Sequence, residues 1–103
     1  MHTIVLSTCG SRSEAQKIAR DAVERRLAAC MSIMPVPSYY RGKGKIRADR
    51  EHLLITKTRF DAFPRLKRRI LTLHSYELPE ILSLKVLGEH KQYLDWIDTE
   101  MRK

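Results

Sequence analysis

Residues 30–58 read CMSIMPVPSYYRGKGKIRADREHLLITKT, two largely apolar runs joined by a basic, glycine-bearing middle. The outer pieces, CMSIMPV at 30–36 and EHLLITKT at 51–58, have strand composition, and Gly42 and Gly44 between them supply the turn chemistry of a hairpin. Pro35 and Pro37 cannot donate to a ladder, so the first strand is an edge or is interrupted there.

What flanks this hairpin decides the topology. On its N-terminal side, TIVLST at Thr3–Thr8 reads as a short buried strand. A helix follows, with Ser13 and Gln16 as a capping box and Ala15, Ile18, Ala19, Ala22, Val23 and Leu27 at helical spacing down to about Ala29. On the other side a helix starts between Thr58 and Asp61, because Pro64 is tolerated only in a first turn. Phe63, Leu66, Ile70 and Leu73 form its apolar stripe. ILSLKVL at 81–87 alternates Leu82, Leu84 and Val86 against Ser83 and Lys85, a strand with one buried face. A last helix, roughly His90–Arg102, carries Tyr93, Leu94, Ile97 and Met101 inward, with Trp96 and Tyr93 anchoring it on the sheet.

The order β-α-β-β-α-β-α is two crossovers split by a hairpin, the ferredoxin-like α+β arrangement in one domain over 1–103. Right-handed crossovers put both long helices on one face of an antiparallel sheet. The other face, with apolar residues from Met31–Val36 and Leu53–Ile55, must be covered by the last helix, another subunit or a ligand.

Composition narrows the class. The chain is 43% hydrophobic and 31% charged, with no apolar run near the ~20 residues that span a bilayer, so no membrane partner is expected. The start MHTIVLSTCGS lacks a secretory pattern, which makes the cytoplasm the expected compartment and free thiols the expected state of Cys9 and Cys30. Twenty Lys and Arg against twelve Asp and Glu give a net charge of +8. That charge attracts phosphate-rich partners non-specifically, and a basic nucleic-acid-binding domain is the alternative function it raises. The third strand, EHLLITKT, lacks the stacking aromatics of an RNA-recognition motif, so such binding is expected to be electrostatic only. There is no nucleophile motif, H-E-x-x-H or glycine-rich phosphate loop, and no catalytic residue is assigned; a non-enzymatic protein is expected.

RRLAACMSIMPV, SYYRGKGKI, HLLITKT, HSYELPEI and a closing YLDWI, in this order over essentially the whole chain, together resemble the CutA divalent-cation tolerance family. The resemblance implies a ferredoxin-like subunit, a homotrimer similar to the PII signalling proteins, binding of divalent copper, a link to copper tolerance and no established reaction. It also directs attention to Cys30, Tyr40, Gly44, Lys45, Ile46, Lys57, Thr58, His74, Tyr76, Pro79, Glu80, Tyr93 and Trp96. One departure stands out: Arg41, Gly42 and Lys43 occupy the hairpin tip where the family usually has one or two tryptophans.

HSYELPEIL, His74–Leu82, carries more polar groups than a loop needs. In a trimer, His74, Tyr76, Pro79 and Glu80 are expected to face an intersubunit cleft with Lys57 and Thr58, while Tyr40, Gly44–Ile46 and Trp96 serve the interface. His74, Glu80 and Cys30 are the candidate ligands for Cu(II) or another divalent cation, none of them obligatory, and Lys57 suits an anionic effector. A purely structural use is equally open: His74 against the carbonyl end of its helix, Pro79 as a stop, Glu80 in an intersubunit ion pair. Cys9 and Cys30 suit core packing, and the Met1 amino group with His2 offers a terminal Cu(II) chelate unrelated to any folded site.

Overall fold

The computed structural model describes residues 1–88 and 90–102. Its elements are β1 (His2–Cys9), α1 (Arg12–Glu24), β2 (Cys30–Gly42), β3 (Lys45–Arg59), α2 (Phe63–Leu73) after a 3-10 turn at Phe60–Ala62, β4 (Ile81–Lys85) and α3 (Lys91–Met101). The strands form one antiparallel sheet ordered β2-β3-β1-β4. The expected α+β ferredoxin-like order is therefore found.

The 30–58 segment is a longer hairpin than its strand composition indicates. Lys43 (φ 53) and Gly44 (φ 75) make a two-residue turn with both central residues at positive φ, the geometry that matches strand twist. β2 runs through both prolines without a break, because as the edge strand it has a free side toward which they lack only a donor. Beyond His52, which pairs with Cys9, β3 has no β1 partner, so residues 36–51 form a two-stranded arm projecting from the sheet.

Side-chain alternation sorts the sheet faces. Val5, Cys9 and Leu54 point toward α1 and α2 and pack with Ala15, Ile18, Ala22, Leu66 and Ile70 into the core. Each core residue of this set is 1% exposed or less, so truncating Leu66 or Ile70 to Ala is expected to cost about 2–5 kcal/mol.

Four local expectations are corrected. The N-cap of α1 is Ser11, whose Oγ accepts the Glu14 N–H, two residues earlier than the Ser13 box. α1 ends at Glu24 rather than near Ala29, because Arg26 turns left-handed (φ 58) and the Leu27 N–H bonds back to the Ala22 carbonyl. In β4 the inward residues are Ile81 and Ser83, in register with Ser7 and Val5, while Leu82 and Leu84 lie on the opposite face, 54% and 48% exposed. Trp96 is 42% exposed and stacks on Tyr93, with ring centroids 5.5 Å apart, so it is not buried against the sheet. Ile97 is the buried residue of α3.

α3 covers only one end of the open sheet face, where Tyr93 and Ile97 line a small cavity of about 130 Å³ together with Ile4 and Lys57. Met34, Leu82 and Leu84 remain about half exposed on that face, beside Leu6 and Ile55 in the strand register.

Candidate functional site

The stretch 74–80 fills the space beyond the end of β1, beside the projecting arm. His74 closes α2, its N–H bonding to the Ile70 carbonyl at 2.9 Å, and its imidazole turns inward with no exposed side-chain surface. Nε2 lies 2.7 Å from the Thr8 carbonyl, and Nδ1 accepts the Tyr76 N–H at 3.1 Å. These two partners set the tautomer: Nε2 carries the proton and Nδ1 accepts. Both nitrogens are thus engaged in fixing the turn to β1.

The turn in turn places Tyr76. Its ring lies over Gly10, where an added Cβ would stand 3.0 Å from the phenol oxygen. The hydroxyl donates to Glu51 Oε2 at 2.8 Å, and burial together with that carboxylate raises the phenol pKa, so the proton stays on Tyr76. Tyr40, on the other strand of the arm, donates to Asp49 Oδ2, which raises its pKa likewise.

These groups line one groove of about 920 Å³, with Asp49, Glu51, Glu77 and Glu80 around it and Lys43 at its rim. Four of the chain's twelve acidic residues meet here in a protein of net charge +8. Asp49 and Glu51 each have one oxygen held by a phenol. The remaining carboxylate oxygens are open to a cation, for which carboxylates are hard oxygen donors.

The sequence-derived candidates divide accordingly. Tyr40, Tyr76 and Glu80 come together within one chain. His74 sits behind them with both ring nitrogens occupied. Cys30 and Lys57 are elsewhere: Lys57 Nζ donates to Ser32 Oγ at 2.9 Å and lies 3.9 Å from Cys30 Sγ. Lys57 is four residues along β3 from Leu53, the partner of Thr8, so within one chain it is roughly 13 Å from the turn. Thr58 is buried and donates to the Leu27 carbonyl at 2.8 Å, a structural use. Ile46, beside Gly44 and Lys45 at the arm's end, is 66% exposed, and Pro79 lies in the turn before β4. His2 is paired with Asp98 at 2.8 Å rather than free at the terminus.

Asp49, Glu51 and Glu77 were not singled out from sequence, although the first two lie two apart on one strand, as a shared rim requires. A second cluster was also missed. Donor atoms of Cys9, Glu14 and His74 lie within 4.8 Å of one another, and Glu14 Oε2 is buried without a hydrogen-bond partner among the described residues. Burial, with the Glu14 and Glu51 charges, pushes the Cys9 thiol up to about 12, so it is protonated at neutral pH.

Comparison with known proteins agrees with this architecture. The family model for "CutA1 divalent ion tolerance protein" matches residues 3–100. The "Divalent-cation tolerance protein CutA" of Thermus thermophilus is 45% identical over 98 residues, covering 94% of this chain and 95% of that protein. Its namesake in Archaeoglobus fulgidus is 38% identical, covering 95% and 96%. A solved structure of the Archaeoglobus fulgidus protein superposes with a TM-score of 0.96, covering 99% of this chain and 100% of that one at 36% identity. One from Thermus thermophilus superposes with a TM-score of 0.90, covering 93% and 94%. With the family model spanning nearly every element described above, the chain belongs to the CutA1 divalent ion tolerance family.

Proposed function

We propose that the chain is the subunit of a homotrimer that binds divalent cations, copper included, in the groove between the hairpin arm and the 74–80 turn, and so serves metal tolerance. The observation that carries this reading is the gathering of Asp49, Glu51, Glu77 and Glu80 around one cavity on an otherwise basic chain. Glu80 is the candidate ligand in this groove, and Tyr76 and His74 hold its wall in place. The names of the relatives, divalent-cation tolerance proteins, agree with a cation as the ligand. Among divalent first-row ions Cu(II) binds nitrogen and oxygen sites most tightly.

The trimer is supported by the open sheet face. Leu82, Leu84 and Met34 are about half exposed there, and nothing in the described residues of the chain covers them. Three copies, as the family resemblance implies, bury this face without leaving an unpaired sheet. In such an assembly Lys57 and Cys30, also on that face, are candidates to join a cleft from a neighbouring chain, which suits an effector-sensing use similar to PII proteins.

A second location for the ion, Cys9, Glu14 and His74, is favoured by the partnerless Glu14 oxygen. It ranks below the groove because the ion must displace a thiol proton held to about pH 12 and one of the two hydrogen bonds of His74. Calorimetric titration with Cu(II) separates the two. Glu80→Gln combined with Glu77→Gln is expected to weaken binding about tenfold or more, with Cys9→Ser near wild type. Weakening by Cys9→Ser alone would move the ion to the buried cluster, and binding lost only on trimming Met1–His2 would move it to the chain terminus.

A further inference from the structure

At the opposite end of the molecule from the carboxylate groove, the start of α2 and the end of α3 enclose a cavity of about 390 Å³ lined by Arg26, Arg59, Arg65, Arg102, Asp61 and Asp98. Four guanidinium groups face two carboxylates, and a single arginine neutralises both of the latter. Arg59 donates to Asp61 through Nε and Nη2, each at 3.2 Å, and to Asp98 through Nη1. Asp98 also takes the His2 contact, and the Arg59 hydrogen bonds hold the Asp61 carboxyl below its usual range. Arg26, Arg65 and Arg102 have no carboxylate within 4.0 Å among the described residues.

Two further features favour an anion here. α2, 11 residues long, starts at this cavity directly behind the 3-10 turn; its Phe63 N–H is taken by the Phe60 carbonyl and Pro64 has none, so this end favours an anion beside Arg65 through its dipole rather than through free amides. Arg26 stands at a left-handed position (φ 58) where glycine is the favourable residue, yet it carries a guanidinium that reaches the Glu100 carbonyl at 2.6 Å and the cavity wall. A concave site of this size fits a small molecule rather than a polymer backbone, and planar, fork-shaped donors suit phosphoryl oxygens.

We propose that this arginine pocket binds a small phosphorylated anion, with Arg26, Arg65 and Arg102 contacting the phosphoryl oxygens and Arg59 fixing the pocket wall. The inference is independent of cation binding in the groove.

Inorganic pyrophosphate is the probe, titrated calorimetrically into the full chain at about 0.15 M salt, where distant surface charge is screened. Saturable binding of one pyrophosphate per chain is expected, weakened about tenfold or more by Arg65→Gln with Arg102→Gln. The same two charges removed from the exposed face of α1, by Lys17→Gln with Arg20→Gln, should leave the affinity within about twofold. Arg26→Gly gives an opposite-sign check that does not depend on the double variant folding. It relieves the left-handed backbone, so the melting temperature should hold or rise while pyrophosphate affinity falls. No saturable binding up to about 10 mM, equal weakening by the α1 control, or affinity unchanged in Arg26→Gly overturns the proposal. So does tighter binding of citrate, or of an oligonucleotide that displaces pyrophosphate, since each reassigns the pocket to another class of partner.

Discussion

Leu84→Glu is expected to dissociate the assembly while leaving the subunit folded. Leu84 and Leu82 project from β4 onto the open sheet face, 48% and 54% exposed, so roughly half of each side chain remains to be buried on association. Complete burial of a leucine is worth about 1.5–3 kcal/mol, which leaves about 1 kcal/mol per side chain to be gained at the interface. Leu84→Ala therefore removes about 1 kcal/mol per subunit. Leu84→Glu does more, because a carboxylate without a partner must be desolvated, at several kcal/mol for each chain. Multiplied over three subunits, that exceeds what a micromolar assembly tolerates. Sedimentation at about 10 µM should give three times the 12.1 kDa chain mass for the wild type and the chain mass for Leu84→Glu. Val23→Glu is the control: Val23 is 41% exposed on α1, away from this face, and the variant should stay assembled. A wild type that sediments as a monomer, or a Leu84→Glu protein that remains trimeric and melts as before, means the open face is not the interface.

The other expectations concern single contacts. Asp21 accepts Arg69 Nε at 2.7 Å and Nη2 at 2.9 Å, which with Arg25 holds its pKa down at about 2. Being depressed, it contributes stability above the unfolded value near 4 that is lost as pH falls toward 2; Asp21→Asn should cost about 1–2 kcal/mol at pH 7 in thermal melts and little at pH 2. Gly10→Ala brings a Cβ to 3.0 Å from the Tyr76 phenol oxygen, so the ring must shift slightly and strain the Tyr76–Glu51 hydrogen bond, read as a lower melting temperature and weaker cation binding than wild type. Replacing Arg41 and Lys43 at the arm's tip with Trp should make assembly less dependent on ionic strength; identical salt profiles before and after would make the tip a solvated end with no neighbour.

The topology was legible because hydrophobic period and turn chemistry agree along the chain. The stripe Phe63, Leu66, Ile70 and Leu73 and the glycines of the hairpin each left one reading. Helix ends were less so. Arg26 closes α1 in a conformation that composition assigns to glycine, so the apolar run to Ala29 looked helical when only its first part is. The alternation of β4 gave the period but not the face: Leu82 and Leu84 look buried in sequence, yet this chain alone leaves them half exposed. At the site, the polar excess of 74–80 marked the place, while Glu51 and Asp49 depend on an arm register that brings distant residues beside the turn. His74 was visible as an imidazole; its two backbone partners, which fix its tautomer, were not.

Anomalous diffraction at the copper edge, from crystals of the full chain grown with about one equivalent of Cu(II), locates the ion without reliance on any variant. Cation binding in the groove predicts the peak there, within coordination distance of Glu80 and the free oxygens of Glu51 or Asp49. A peak among Cys9, Glu14 and His74, at Met1–His2, or none in the groove at full occupancy elsewhere, would contradict it.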